Sequence, residues 1–138
     1  PTMMNYNTHT GKMFNTPPVF AVYMVGLVLD WIQEKGGLDY FKIFNEEKAA
    51  LLYNEIDADD FYVGTAVKAS RSNMNVCFRI TDTDLETKFL AEASTQHLDA
   101  LKGHRSVGGI RASIYNACPQ ESVEALVSFM KEFRAKNG

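Results

Sequence analysis

With 138 residues, the chain is long enough for one domain with a sizeable buried core. Its net charge of −3 argues against nucleic acid as the main partner, because phosphate backbones attract clustered lysine and arginine. The longest apolar run, residues 19–29, is too short to span a bilayer, so no membrane association is predicted. Cys77 and Cys118 are far apart in the sequence, which predicts neither a disulfide framework nor a metal site and fits the cytoplasm.

The segment Phe14-Asn15-Thr16-Pro17-Pro18 predicts the start of a helix. Asn15 or Thr16 can cap the helix, and proline suits its first position because the missing N–H would have no partner there. Apolar residues at three- and four-residue spacing continue to about residue 34, and Gly36-Gly37 is expected to end the helix. The free N–H groups at its start could receive a phosphate, although capping without a ligand is favoured from this segment alone.

A second helix is predicted over residues 38–55, with Glu46, Glu47 and Lys48 on its solvent side. The acidic segment Asp57-Ala58-Asp59-Asp60 follows it. This segment lacks the alternating ligands, the glycine and the closing Glu of a calcium loop, so it is interpreted as a solvated turn.

Strands and further helices are predicted to alternate over the rest of the chain, and the resulting fold class is α/β (α+β). A small, mostly antiparallel sheet is expected to be covered by helices, with Cys77 as a small core residue of one strand. A short strand is also expected over residues 2–6. The remaining strands are predicted over residues 61–63, 74–80 and 110–115, and the remaining helices over 84–96, capped by Asp82 or Thr83, and over 121–135.

The stretch from residue 102 to 116 is the most informative in the chain, because it places two arginines, a histidine and three glycines close together. Glycine lets the backbone approach a ligand closely, and arginine offers a rigid fork of donors matched to carboxylate and phosphate. His104, Arg105 and Arg111 therefore predict a pocket for a small anion with several charges. A glycine hairpin with solvated arginines at its rim is the alternative from these residues alone.

No catalytic residue is predicted in the chain. The sequence contains no G-x-S-x-G, H-E-x-x-H or G-x-x-x-x-G-K-[ST] motif, and no motif brings Ser, His and Asp together. A catalyst needs a nucleophile or an acid–base pair held in place. The sequence therefore indicates anion binding without a reactive group.

Three segments closely resemble the phosphoserine aminotransferase family: Met13-Phe14-Asn15-Thr16-Pro17-Pro18, residues 71–76 (RSNMNV) and residues 102–116. The likeness extends over nearly all of the chain, with the same spacing, and corresponds to the C-terminal part of the family's sequence. It implies that residues 1–15 lead in from a large domain and that residues 16–138 form the C-terminal small domain of a fold-type-I transferase.

The resemblance also implies an activity. Members of this family are homodimers that use pyridoxal 5'-phosphate to exchange an amino group between glutamate and 3-phosphohydroxypyruvate. The products are phosphoserine and 2-oxoglutarate in serine biosynthesis, and some bacterial members also serve pyridoxine synthesis. By the same resemblance, Asn15 and Thr16 reach the cofactor phosphate in the neighbouring subunit, Arg111 holds the substrate α-carboxylate, and His104 and Arg105 hold the substrate phosphate.

The family's Schiff-base lysine, the aspartate that pairs with the cofactor ring and the aromatic residue stacked on it all belong to the N-terminal part of the family's sequence. No lysine of this chain lies in the matching motif. We therefore expect the chain alone to be inactive and to hold no covalent cofactor. Two alternatives are a stand-alone binding module for a phosphorylated carboxylate and a structural piece whose apolar helix face, with Tyr23 and Trp31, serves dimer contact.

Overall fold

The structure is a computed structural model that describes residues 16–138. It divides into two compact units, one up to Leu38 and one from Asp39 to the end, and each is described by itself. The strand predicted over residues 2–6 and the candidate ligand Asn15 lie outside the described residues. The predicted domain boundary at residue 16 stays a prediction.

The helix of the first unit, α1 (Val19–Glu34), begins later than the sequence predicts. Pro18 is its N-cap and makes no side-chain hydrogen bond, so the prediction that Asn15 or Thr16 caps the helix is wrong. The reason is steric, since a residue that precedes proline is disfavoured in the helical region, and the consecutive prolines delay the start. The helix ends as predicted, because Gly36 and Gly37 adopt φ angles of 110° and 73°.

Most side chains of α1 are apolar, and yet they are exposed. None of them is buried, and Phe20, for example, is 76% exposed. Valine and leucine residues on its other faces are also accessible, so the apolar surface surrounds the helix and is wider than one face. No helix in the described part of the chain is both long and apolar enough to cross a membrane.

The second unit follows the predicted order of elements, with a short 3₁₀ turn at Lys68–Ser70 that the sequence did not reveal. Helix boundaries differ from the prediction by one or two residues, as expected for frayed ends. The helices are α2 (Gly37–Ile56), α3 (Thr83–Thr95) and α4 (Gln120–Asn137), and the strands are β1 (Tyr62–Gly64), β2 (Asn75–Ile80) and β3 (Ile110–Ser113).

The three strands form an antiparallel sheet in the order β1-β2-β3, which confirms the predicted sheet. Tyr62 is opposite Ile80 across the first pair, and Cys77 is opposite Arg111 across the second. Residues alternate between the two faces of a strand, so Val76 is buried while its neighbour Cys77 is only half-buried on the other side. The interpretation of Cys77 as a core residue is therefore wrong.

Aromatic side chains form the centre of the core on the buried face of the sheet. The Phe89 ring of α3 lies 5.1 Å from the Phe133 ring of α4 and 6.1 Å from the Phe78 ring of β2. The Tyr62 hydroxyl is buried there and donates to the Met130 carbonyl at 2.8 Å. Full burial of one such side chain contributes about 1.5–3 kcal/mol, so this cluster accounts for much of the stability of the second unit.

One prediction about a polar residue in this unit is wrong. Lys48 is completely buried and does not lie on the solvent side of its helix. The acidic turn is exposed, as predicted, and two of its carboxylates also form ion pairs, Asp57 with Arg71 at 2.6 Å and Asp59 with Arg134 at 2.7 Å. The partners of Lys48 and of both aspartates are distant in the sequence.

Candidate functional site

The predicted anion-binding stretch folds into a narrow hairpin. Lys102 pairs with Ile110, Gly103 N–H donates to the Gly109 carbonyl at 2.8 Å, and Arg111 N–H donates to the Leu101 carbonyl at 2.7 Å. These bonds join the incoming chain to β3 and close a turn over residues 104–108. The hairpin that the sequence analysis left as an alternative is therefore present, and it carries the predicted anion ligands.

Glycine is required at both ends of this turn. Gly108 and Gly109 adopt φ angles of +74° and +75°, a region that side chains disfavour. At Gly103 the constraint is space, because a Cβ atom would lie 2.1 Å from the Gly108 carbonyl oxygen. The glycines thus allow the two chain segments of the hairpin to approach directly.

His104 and Arg105 lie on the exposed turn. The Ser106 N–H donates to His104 Nδ1 at 3.3 Å, and the Ser106 hydroxyl lies 2.6 Å from the same nitrogen. Both contacts occupy Nδ1 and leave Nε2, the other ring nitrogen, for a ligand. Arg105 has no ion pair within residues 16–138.

Arg111 lies on β3, on the face of the sheet opposite the aromatic core. Its side chain is half-buried, and its Nε atom is buried without a hydrogen-bond partner among the described residues. No carboxylate in that part of the chain pairs with it. An unpaired buried donor costs free energy, and the Nε of Arg71, whose guanidinium is already paired with Asp57, is unpaired in the same way. What distinguishes Arg111 is that its guanidinium pairs with no carboxylate among residues 16–138.

Arg79 is a residue of the site that the sequence analysis missed. It lies on the same face of β2 as Cys77, and its guanidinium donates to the Val107 carbonyl in the turn. The alternation of side chains along the predicted strand could have placed it there, since residues 77 and 79 share one face. The open face beside the hairpin is therefore lined by two arginines.

A cleft of about 480 Å³ on another side of the hairpin, between α3 and Lys102, is less suited to an anion. It contains the acidic residues Glu86 and Asp99. The arginine-lined face is thus the better candidate for the substrate. No group of three or more metal-ligating side chains occurs within residues 16–138.

Thr16, the other predicted ligand in the described residues, lies in the first unit. It is exposed and immediately precedes the two prolines at the start of α1. The first turn of this helix contains no acidic residue that would repel an anion. Its role in cofactor binding stays a prediction, as do the roles of His104, Arg105 and Arg111.

The aminotransferase class-V family model matches residues 2–126, and the chain therefore belongs to this family. A phosphoserine aminotransferase of Desulfotalea psychrophila is 55% identical over 99% of this chain and 38% of its own length. Another, from Desulfatibacillum aliphaticivorans, is 57% identical over 100% of this chain and 39% of its own length. The chain thus spans about two fifths of the length of these relatives and matches their C-terminal part.

Solved structures agree with the sequence comparison. The phosphoserine aminotransferase of Bacillus circulans subsp. alkalophilus superimposes with a TM-score of 0.90 at 48% identity, over 100% of this chain and 39% of that one. The pyridoxal-phosphate-bound enzyme of Trichomonas vaginalis gives 0.83 at 42% identity, over 95% and 38%. These relatives support the aminotransferase interpretation over a stand-alone binding module, and they confirm the predicted fold class.

Proposed function

We propose that this chain is the C-terminal part of a phosphoserine aminotransferase, which transfers an amino group between glutamate and 3-phosphohydroxypyruvate. The products are phosphoserine and 2-oxoglutarate. The observation that carries the proposal is the half-buried Arg111, which pairs with no carboxylate among the described residues and lies beside a turn with further cationic residues. Relatives 55% and 57% identical that bear this name support it.

The two anionic ends of the substrate are assigned to different parts of the hairpin. By the family resemblance, Arg111, which lies on the sheet, holds the α-carboxylate that glutamate and phosphoserine share. His104 and Arg105 hold the phosphate, which only the phosphorylated substrates carry. A charge-assisted arginine contact of this type is worth about 1.5–3 kcal/mol, which is enough to select and orient the substrate.

Pyridoxal phosphate fits what the described residues offer only through its phosphate. By the family resemblance, Asn15 and Thr16 would hold the phosphate group, and the exposed Thr16 side chain ahead of a helix start without acidic residues is compatible with this role. When bound, the cofactor serves as the electron sink for reaction at the substrate α-carbon.

Lys48 cannot serve as the covalent anchor of the cofactor, because the Lys48 ammonium is buried against backbone carbonyls. The anchoring lysine is assigned to the N-terminal part of the enzyme.

A homodimer in the cytoplasm is part of the proposal. The apolar side chains of α1 are exposed in this chain, and Phe20 and Val19 are 76% and 66% accessible. An exposed apolar surface of this kind is typical of an interaction site. We assign it to contacts within the assembled enzyme, and sedimentation of the complete polypeptide that contains this chain tests for the dimer.

The activity is tested with the same complete polypeptide, loaded with pyridoxal phosphate. Glutamate formation from phosphoserine and 2-oxoglutarate is expected. Replacing Arg111 by Ala should raise the KM for both phosphoserine and glutamate by about 10–150-fold, the equivalent of the contact energy above. A wild-type protein without transamination, or an Arg111→Ala variant with unchanged KM values, would overturn the proposal.

A further inference from the structure

We propose that Arg79 is a positioning residue for the turn that carries His104 and Arg105, and that it thereby sets the affinity for the phosphate of the substrate. The second half of this statement rests on the proposed function. The first half concerns only the contact between β2 and the turn. No other residue outside the hairpin has a side chain that bonds to residues 104–108 in the described part of the chain.

Arg79 packs closely against the side of the turn that contains the two glycines with positive φ, Gly108 and Gly109. The Arg79 guanidinium donates to the Val107 carbonyl. A Cβ atom on Gly108 would lie 2.9 Å from Arg79 Nη2, and one on Gly109 would lie 3.2 Å from Arg79 Cγ. The backbone of residues 107–109 therefore rests directly on the arginine side chain, with no room for a larger residue between them.

The turn needs such a support because the other bonds of residues 104–108, including those of Ser106 to His104 Nδ1, lie within the turn itself. The N–H groups of Val107 and Gly108 both donate to the His104 carbonyl, at 2.9 and 2.8 Å. His104 and Arg105 are exposed, so packing does not restrict them. Fixing a loop costs conformational entropy at the moment of binding unless other contacts have already fixed it. A charged donor on the Val107 carbonyl supplies that restriction in advance.

The lack of a carboxylate partner for Arg79 among the described residues supports its role in positioning the turn. Within residues 16–138, no carboxylate pairs with Arg79, and one of its donors is used by the carbonyl of the turn. Arg79 is anchored on β2 next to Phe78, which is completely buried in the core. The contact with Arg79 therefore restrains the turn relative to the sheet. It differs from Arg111, which is assigned to the α-carboxylate and is held by its own strand.

The test uses the complete polypeptide with Arg79→Met, Arg79→Lys and, as a charge-matched control, Lys131→Met on the exposed side of α4. Limited trypsin digestion, followed by mass spectrometry, measures cleavage after Lys102 and Arg105 without any ligand. We expect Arg79→Met to raise the cleavage rate several-fold, Arg79→Lys to restore most of the protection, and the control to match the wild type. Thermal unfolding verifies that each variant is folded, and Arg79→Gln replaces Arg79→Met if that variant is not.

Kinetics then test the link to the phosphate. Arg79→Met should raise the KM for phosphoserine about 10-fold and leave the KM for glutamate unchanged, because glutamate has no phosphate. If cleavage after Lys102 and Arg105 is unchanged in Arg79→Met, the proposal is overturned. This holds even if the KM for phosphoserine rises, because that combination indicates that Arg79 contacts the phosphate directly. Higher cleavage with an unchanged KM overturns the link to affinity. If the wild type does not use phosphoserine, the proposed function fails, while the cleavage rates still decide the role of Arg79 at the turn.

Discussion

The Nζ atom of Lys48 in α2 lies 2.9 Å from the carbonyl oxygen of Tyr115, a residue 67 positions further along the chain. The same ammonium donates to the carbonyls of Ile114 at 3.1 Å and Cys118 at 3.0 Å. The side chain is completely buried, and this burial lowers the pKa of Lys48 below its ordinary value. The contact joins α2 to the segment that directly follows β3, the strand that carries Arg111.

Replacing Lys48 by Met should destabilise the fold, because three carbonyl oxygens would lose their shared donor. We expect a net loss of about 2–3 kcal/mol in the free energy of unfolding. This figure allows for the stabilisation gained because the variant no longer buries a charged group. Urea unfolding measures this loss. Lys42→Met is the matched control, since Lys42 is exposed on the same helix. Equal effects of the two substitutions would contradict the structural role of Lys48.

The ion pair between Asp57 and Arg71 predicts a specific loss of stability in acid. Arg71 donates to both carboxylate oxygens of Asp57, at 2.8 and 2.6 Å, and lowers the Asp57 pKa from 3.8 to about 2. The folded state therefore binds this proton less tightly than the unfolded chain does. The stabilisation is complete above pH 3.8 and is lost as the pH falls from 3.8 to about 2.

In Asp57→Asn the unfolding free energy should therefore fall less across this range than in the wild type. The expected difference is only about 0.5–1 kcal/mol, because solvent screens so exposed a pair. Urea unfolding at several acidic pH values measures the slope. Asp60→Asn, in the same turn, serves as the control. If both variants retained the slope of the wild type, the pair would contribute nothing to acid stability.

Two glycine substitutions should have opposite effects. Gly103→Ala would place a Cβ atom 2.1 Å from the Gly108 carbonyl oxygen and must open the hairpin. A loss of stability of about 1–3 kcal/mol is expected, together with weaker phosphoserine binding. Gly26→Ala in α1 meets no atom within 4 Å and should increase helix stability by up to about 1 kcal/mol. Melting temperatures of the two variants decide this, and a neutral Gly103→Ala would refute the tight closure of the hairpin.

The order of elements was predictable because periodic apolar patterns and turn residues are local signals. The ends of α1 show the limit, since Gly36-Gly37 ended the helix as expected while the paired prolines displaced its start. Lys48 could not be placed from the sequence. It stands beside Glu46 and Glu47 and resembles a solvent residue, and its partners are more than sixty residues away.

The candidate site was predictable to a similar extent. The glycines and arginines of residues 102–111 indicated a hairpin with anion ligands, and the structure has that hairpin. Alternation along β2 could have placed Arg79 on the same face as Cys77, but its position beneath the turn also depends on the pairing of β2 with β3, which no local pattern specifies. The assignment of each ligand to a carboxylate or a phosphate depends on the family resemblance, since an arginine binds either group.

The central claim is that the turn of this hairpin recognises the phosphate of an amino-acid substrate. Its most direct measurement is the ratio of kcat/KM for phosphoserine to that for serine in the complete polypeptide, with Arg105→Ala compared with the wild type and with Lys102→Ala. We predict a ratio strongly in favour of phosphoserine that falls at least 10-fold in Arg105→Ala and changes little in Lys102→Ala. An unchanged ratio in Arg105→Ala would contradict the claim.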